Sequence, residues 1–145
     1  MEDGWTYKKE NLKKASHILE NYSWELMVAS YSNRDRVPDE AGLYIFSTKT
    51  GVLLEEDEKE FVNPFYIGMS DVSIRSRFKQ HIIRPEWKDA SKCYVNKFIY
   101  SFLILKNKSK TEIDDMEDKL VRAFNPLLNK IYPKSSRKRK ASESE

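Results

Sequence analysis

Residues 41–47 read AGLYIFS and residues 61–68 read FVNPFYIG, and these two segments decide the fold. Each is short, apolar and bounded by residues that break regular structure, which is typical of buried strands. Pro64 places the second strand at an edge of the sheet or delays its start. Thr50-Gly51 and the acidic run at 55–60 (EEDEKE) supply the connection between the two strands.

Beyond these strands the sequence predicts a helix and then a third strand. Ser70 or Asp71 can cap a helix that continues to about Arg84, and Pro85 ends it. The segment 97–105 (KFIYSFLIL) is aromatic and β-branched enough to form a core strand.

A second helix follows, and its apolar stripe contains a carboxylate. Thr111 and Asp114 resemble a capping box at its start, and Asn125-Pro126 should end it. Glu117 interrupts the stripe formed by Ile113, Met116, Leu120, Val121 and Phe124. A buried carboxylate is costly, so Glu117 needs a metal ion, a cation or a hydrogen-bond partner, or a place at the edge of a cleft. A structural ion pair is the alternative interpretation.

The first helix carries Arg77 and His81 one turn apart. A guanidinium is always charged and offers a planar fork of donors that suits a phosphate. An imidazole one turn further can share or move a proton near neutral pH. The alternatives are an ion pair of Arg77 with a carboxylate and a core histidine bonded to a backbone carbonyl.

The two ends of the chain differ from its centre. Apolar residues at spacings of three and four predict that residues 1–35 form a helical N-terminal extension, within which 24–31 fits either a strand or a helix. Residues 135–145 contain no large apolar side chain and are expected to be a disordered tail. One domain is therefore expected over residues 36–134.

Composition excludes several classes of protein. The chain has 145 residues, of which 39% are apolar, enough for the core of one domain. No run of about 18 apolar residues and no export signal are visible, so a membrane partner is not expected. Cys93 is the single cysteine, so an intrachain disulfide is excluded and a reducing, cytoplasmic or nucleoid-associated location is expected.

The net charge of +3 conceals a strong asymmetry along the chain. Between Arg75 and Lys110, ten Lys or Arg residues stand against two acidic residues, a net charge of +8, whereas residues 55–60 carry −4. Clustered cations favour a polyanion through counterion release, although many basic stretches are simply solvated surface.

An ordered set of two short motifs and several single residues resembles a known family. The chain contains Gly42-Leu43-Tyr44, Tyr66-Ile67-Gly68, Arg77 with His81 four residues later, then Glu117, and finally Pro126 and Asn129. This ordered set resembles the GIY-YIG nuclease superfamily over residues 41–129. Leu43 replaces the isoleucine of the first motif, and 21 residues lie between Tyr44 and Tyr66 where typical members have fewer. The spacing implies an inserted loop around residues 51–60.

The resemblance implies an α+β fold with a small, mostly antiparallel central sheet of about three strands flanked by helices. It also implies hydrolysis of a phosphodiester with a divalent metal ion, Mg²⁺ or Mn²⁺. Glu117 would hold the metal and Arg77 would clamp the phosphate oxygens. Tyr44 would orient or deprotonate the attacking water, with His81 or Tyr66 as its neighbour.

The remaining expectations concern the substrate. Asn129 would hydrogen-bond the site and fix the C-terminal segment. Further cations are expected to bind the nucleic acid: Arg75, Lys79, Arg84, Lys88, Lys92 and Lys97.

The predicted function is a DNA endonuclease of restriction, phage, mobile-element or repair type, acting on double-stranded DNA. Three alternatives stay open: an inactive nucleic-acid-binding module of the same fold, a nuclease for single-stranded DNA or RNA, and a structural module. A homo-oligomer is compatible with all of them.

Overall fold

The computed structural model describes residues 9–54, 59–85, 87, 98–126 and 128–129. These residues form three α-helices, one 3-10 helix and four strands. In chain order they are α1 (Lys9–Glu20), β1 (Glu25–Val28), the 3-10 helix η1 (Tyr31–Arg36), β2 (Gly42–Leu54), β3 (Lys59–Ser70), α2 (Ile74–Ile82), β4 (Phe98–Ile104) and α3 (Lys110–Phe124). The expected tail at 135–145 lies outside the described residues.

The sheet is antiparallel throughout, with strand order β1-β4-β2-β3. The α+β class and the antiparallel sheet flanked by helices are confirmed, but the described residues contain four strands rather than about three. The additional strand is β1, where Glu25 pairs with Phe102 and Val28 with Ile99. Residues 1–35 therefore contribute an edge strand as well as a helix, because pairing with β4 decides the conformation of a segment whose own pattern fitted either.

The β2–β3 hairpin is longer than the two motifs alone would require. Strand pairing continues as far as Leu53 with Glu60 and Leu54 with Lys59. The expectation of an inserted loop over 51–60 is therefore wrong for residues 51–54 and 59–60, which extend the two strands, while residues 55–58 lie outside the described residues. The additional length is a longer hairpin.

A β-bulge interrupts the hairpin beside the second motif. Phe46 pairs with Tyr66, whereas the next residue, Ser47, pairs with Pro64. Phe65 is therefore the extra residue of β3. Phe65 and Tyr66, although consecutive, both pack on the same side of the sheet.

The alternation of side chains along the strands gives the sheet two different layers. The aliphatic layer lies beneath α1 and α3 and consists of Ala15, Ile18, Leu43, Ile45, Ile67, Met69, Leu103, Leu105, Ile113, Met116, Leu120 and Ala123. The aromatic layer includes α2 and consists of Ala29, Val37, Tyr44, Phe46, Tyr66, Ile74, Phe78, Ile82, Trp87, Phe98, Tyr100 and Phe102. Burial of both layers supplies the main favourable free energy of folding.

Ser73 caps α2, three residues after the first of the two predicted caps. Its hydroxyl oxygen accepts a hydrogen bond from the Ser76 backbone N–H at 3.1 Å. The Ser70 hydroxyl instead accepts from Val72 and Ser73, at 3.1 and 2.8 Å, and so forms the turn that precedes the helix. The predicted cap at Ser70 or Asp71 is therefore wrong, because the turn uses Ser70.

The capping box of α3 lies two residues earlier than predicted. Ser109 and Glu112 form it reciprocally, each side chain accepting from the backbone N–H of the other. The helix ends at Asn125, as predicted, with a left-handed φ of 46°. No helix among the described residues is long and apolar enough to cross a membrane.

Candidate active site

The two glycine–tyrosine motifs meet face to face in the hairpin. Tyr44 of β2 pairs directly with Gly68 of β3. A Cβ built on Gly68 would overlap the ring and hydroxyl of Tyr44. The glycine of the second motif therefore makes the space that the tyrosine of the first motif occupies. Gly42 is constrained in a similar way, because a Cβ there would collide with the carbonyl of Leu103.

A buried hydrogen bond joins Tyr44 to α2. The Tyr44 hydroxyl and Nε2 of His81 lie 2.9 Å apart, and the two residues are 2% and 4% exposed. Which atom donates depends on the histidine tautomer. Ser73 fixes the start of α2, and Phe78 and Ile82 anchor its inner face, so the helix presents His81 to the tyrosine from a rigid support.

His81 is neutral at physiological pH. Burial lowers its pKa to about 3, with further lowering by the positive charges of Arg84 and Arg77. Its ring packs between Tyr66, at 4.8 Å between centroids, and Trp87, at 5.0 Å. Nδ1 is buried and has no hydrogen-bond partner among the described residues. The imidazole thus acts as a neutral hydrogen-bonding group.

The pKa of the Tyr44 hydroxyl depends on several of the other predicted site residues. Burial raises its pKa well above the ordinary value of 10.0, and so does proximity to Tyr66 and Tyr100. Arg77 lowers the same pKa, and the negative charge of Glu117 raises it. Tyr44 is therefore protonated at neutral pH, in an environment shaped by both charged residues.

Glu117 lies on the inner side of α3, as its place in the apolar stripe predicts. It is 3% exposed, among Ile113, Met116 and Leu120. Because α3 packs against β3, the carboxylate approaches the sheet from the aliphatic layer, whereas Tyr44 belongs to the aromatic layer. The negative charge of Glu117 nevertheless raises the pKa of the Tyr44 hydroxyl in the other layer.

Glu117 fits a metal ion that takes most of its ligands from elsewhere. No group of three or more His, Cys, Asp or Glu side chains able to hold a metal occurs in the described part of the chain. An all-protein cage for Zn²⁺ or Ca²⁺ is therefore not formed by these residues. Mg²⁺ commonly binds through one or two carboxylates and completes its shell with water and substrate phosphate. Glu117 suits that second mode.

The predicted cations of α2 lie on two flanks of the helix. Arg75 and Lys79 share one flank and hold η1: Nε of Arg75 donates to the Val37 carbonyl at 2.6 Å, and Nζ of Lys79 lies 3.3 Å from the Asp35 carboxylate. Arg77 lies about 200° around the helix from Arg75. It is exposed, and its guanidinium has no ion pair or side-chain hydrogen bond within the described residues. The structure therefore separates one available cation from two that fasten the fold.

Of the other predicted substrate contacts, Arg84 lies within the described residues. The Arg84 guanidinium is half-buried and lies 5.6 Å from the Trp87 ring centre. Lys88, Lys92 and Lys97 lie outside the described residues.

Asn129 fastens the C-terminal segment to the edge strand. Its Nδ2 donates to the Ile67 carbonyl at 2.7 Å, and its Oδ1 accepts from the Ile67 N–H at 2.8 Å. The amide thus takes the place of a neighbouring strand on the outer edge of β3. This geometry makes Asn129 a positioning residue for the strand that carries Tyr66 and Gly68.

Two aromatic residues near the site were missed as site residues by sequence reasoning. Trp87 stacks on His81 with an angle of 24° between the rings, and Tyr100 stacks near Tyr44 at 5.6 Å. Tyr100 lies in the segment KFIYSFLIL, whose pattern indicates only a core strand. No local signal distinguishes such a residue from ordinary core.

No protein-family model, curated protein or solved structure matches this chain. The functional argument therefore rests on the residues and their geometry.

Proposed function

We propose that this protein is a divalent-metal-dependent endonuclease of the GIY-YIG type that hydrolyses phosphodiester bonds in DNA. The observation that carries the proposal is the buried hydrogen bond between Tyr44 and His81, at a hydroxyl whose pKa responds to Arg77 and Glu117. These four residues span 74 positions of the chain and come from β2, α2 and α3. A purely structural role would not require them to converge.

The proposed chemistry assigns one task to each group. A Mg²⁺ or Mn²⁺ ion held by Glu117 would supply Lewis-acid stabilisation of the charge that develops at the phosphate and the leaving oxygen. Arg77 binds the non-bridging phosphate oxygens through its planar fork of donors. Asn129 acts indirectly, by holding the edge strand in place.

Tyr44 positions the attacking water in this scheme. In the His81 tautomer that has no proton on Nε2, the Tyr44 O–H donates to Nε2, and the phenol oxygen can then accept a hydrogen bond from water. The raised pKa supports orientation of the water over its deprotonation by a free phenolate, because Tyr44 stays protonated at neutral pH. Attack of the water oxygen on phosphorus forms one P–O bond and breaks another, which releases the sugar oxygen. The proton that the water loses passes to solvent, and the leaving oxygen takes up a proton from solvent.

The proposal is tested with purified protein on four substrates: supercoiled plasmid, linear duplex, single-stranded DNA and RNA. We expect cleavage of the duplex forms with Mg²⁺ or Mn²⁺ and no cleavage in excess EDTA. The ends of the products are then mapped. The Glu117→Gln variant, purified in parallel, controls for contaminating nucleases because it retains the shape of the side chain and loses its charge.

The outcomes separate the alternatives. If only single-stranded DNA or RNA is cleaved, the proposed chemistry stands and the proposed substrate is wrong. Salt-dependent binding without cleavage under any metal would identify an inactive nucleic-acid-binding module. If the protein neither binds nor cleaves any of these substrates, the proposal is refuted and the structural module is the remaining alternative. We place the enzyme in the cytoplasm or on the nucleoid, where its substrate lies.

A further inference from the structure

An exposed tyrosine on η1 is braced by an arginine. Tyr31 is 56% exposed, and the Arg34 guanidinium lies 3.9 Å from its ring centre. Arg34 also donates to the Tyr31 carbonyl at 2.9 Å, so the same side chain is fixed to backbone and ring. One face of the ring is covered by a cation, and more than half of the residue remains open to solvent.

This pair has the chemistry of a stacking platform for a nucleic-acid base. An isolated surface cation–π pair contributes only about 0.5–1 kcal/mol, which gives little structural reason for an exposed tyrosine. Every base has a π-face that stacks on an aromatic ring without regard to sequence. Arg36 is exposed two residues beyond Arg34, whereas Asp35 between them is paired with Lys79. The outward charge of η1 is therefore positive and complements phosphate.

The platform is held in a fixed place relative to the candidate active site. Nδ2 of Asn33 donates to the Val28 carbonyl at 2.9 Å, which joins η1 to β1. Arg75 and Lys79 join η1 to α2 through Val37 and Asp35. Since α2 also carries Arg77, Tyr31 and Arg77 belong to elements that are fastened to each other.

We propose that Tyr31, braced by Arg34 and flanked by Arg36, stacks on an unpaired base of the bound DNA. The inference rests on the proposed function and deepens it, because it adds a preference for a duplex with a single-stranded extension. Bases within a duplex are already stacked and paired, and exposing one costs free energy. An unpaired extension presents its bases without that cost.

The test measures affinity in EDTA, so that no cleavage occurs. The ligands are a blunt duplex and the same duplex with a single-stranded extension on either end. We expect Tyr31→Ala to weaken binding of the extended duplex by at least about fivefold, the lower range for loss of one stacked base, and to leave the blunt duplex unchanged. Tyr31→Phe retains the ring and is expected to bind within about twofold of wild type. Leu26→Ala, which removes another exposed apolar side chain on β1, is the matched control and should change neither affinity.

A second variant separates stacking from charge. Arg36→Ala is expected to reduce the salt dependence of binding by about one phosphate contact, whereas Tyr31→Ala leaves the slope unchanged. The inference is overturned if Tyr31→Ala binds both ligands like wild type, if Tyr31→Phe loses as much as Tyr31→Ala, or if both duplexes weaken equally. If wild type binds and cleaves DNA and any of these results is obtained, only the stacking platform is refuted. If wild type does not bind any of the DNA ligands, the proposed function is refuted as well.

Discussion

The two layers of the sheet are built from the same strands and differ in chemical character. On β2, Leu43 and Ile45 enter the aliphatic layer, while Tyr44 and Phe46 enter the aromatic layer. Aliphatic side chains offer only packing, whereas tyrosine buries a large ring and still carries a hydroxyl at its tip. The aromatic layer can therefore carry hydroxyl groups inside the core, whereas the aliphatic side chains of the other layer carry none.

Glu117 is the exception to this division. It is a charged residue within the helix stripe of the aliphatic layer, and its negative charge raises the pKa of Tyr44 in the aromatic layer. At most positions the two layers therefore have separate roles, and Glu117 links them at the candidate site. The following predictions test whether that shared site, rather than either layer by itself, carries the activity.

The largest effect is expected for Glu117→Gln. Loss of the carboxylate charge removes the metal ligand, and metal stabilisation of the transition state is worth several kcal/mol, so single-turnover cleavage should fall by about three orders of magnitude or more. DNA affinity in EDTA and the folded far-UV spectrum should persist, because the amide retains the shape of the side chain.

Asp115→Asn is the matched control for Glu117→Gln. Asp115 lies on the same helix, exposed and 2.9 Å from Lys119, and a surface pair of this kind contributes little. We expect its cleavage rate to equal that of wild type. Normal turnover by Glu117→Gln with Mg²⁺ would reject the metal assignment.

Arg77→Ala should lower single-turnover cleavage by about 10²–10³-fold, the typical value of one donor aimed at a developing charge. Its stability should change by less than about 0.5 kcal/mol, because the side chain is exposed. Arg77→Lys should recover only part of the rate, since lysine lacks the fork.

Arg75→Ala sharpens the comparison between the two flanks of α2. It removes the bond to the Val37 carbonyl, so we expect it to lower the free energy of unfolding by about 1–3 kcal/mol, with a smaller loss of rate than Arg77→Ala. Denaturant unfolding and cleavage are measured on both variants. Equal losses of rate in the two would show that the flanks are not functionally distinct.

Tyr44→Phe should slow the chemical step by about tenfold to a hundredfold, with unchanged affinity, if the hydroxyl orients water. A loss nearer 10⁴-fold would indicate proton transfer instead. Tyr100→Phe is the matched variant in the same layer. Its hydroxyl donates to the Ile74 carbonyl at a long 3.4 Å, so its removal should leave the rate nearly unchanged. Normal cleavage by Tyr44→Phe would assign Tyr44 to the core.

The smallest effect concerns the pH dependence of folding. The pKa of His81 is about 3 in the folded protein and near 6.5 when unfolded, so the unfolded state takes up the proton first as pH falls. Stability should therefore fall below about pH 6.5, by up to about 1.4 kcal/mol per pH unit. His81→Gln should lose this part of the slope, whereas His17→Gln, at the exposed histidine, should keep it. Urea unfolding between about pH 7 and 5 measures the difference, and equal slopes would contradict burial of a neutral His81.

Local patterns were sufficient for several elements. The apolar segments around Tyr44, Tyr66 and Tyr100 predicted three strands, and the stripe around Glu117 predicted an inward carboxylate; all four are confirmed. Each of these patterns is a property of a few neighbouring residues. Helix caps were displaced by two or three positions because several Ser, Thr and Asp residues competed for each one.

Contacts between distant segments could not be derived in this way. The fourth strand depends on pairing of residues 25–28 with β4, and the overlap of Tyr44 with Gly68 depends on hairpin register. The spacing of Arg75, Arg77 and Lys79 fixes their angles on a helix but does not reveal which flank faces η1. The sequence therefore predicted the strands and helices that carry the candidate residues better than the contacts between those elements.

Gly68 has a consequence for telling active relatives of this chain from inactive ones. It carries no functional atom, and its backbone is in a region open to ordinary residues, yet even an alanine methyl would displace the Tyr44 hydroxyl. A homologue with alanine here would retain all six predicted site side chains and still lose the pocket that aligns them. Judged by its site residues alone, such a protein would be classed as an enzyme. The methyl group that fills the space beside Tyr44 predicts instead that it is inactive.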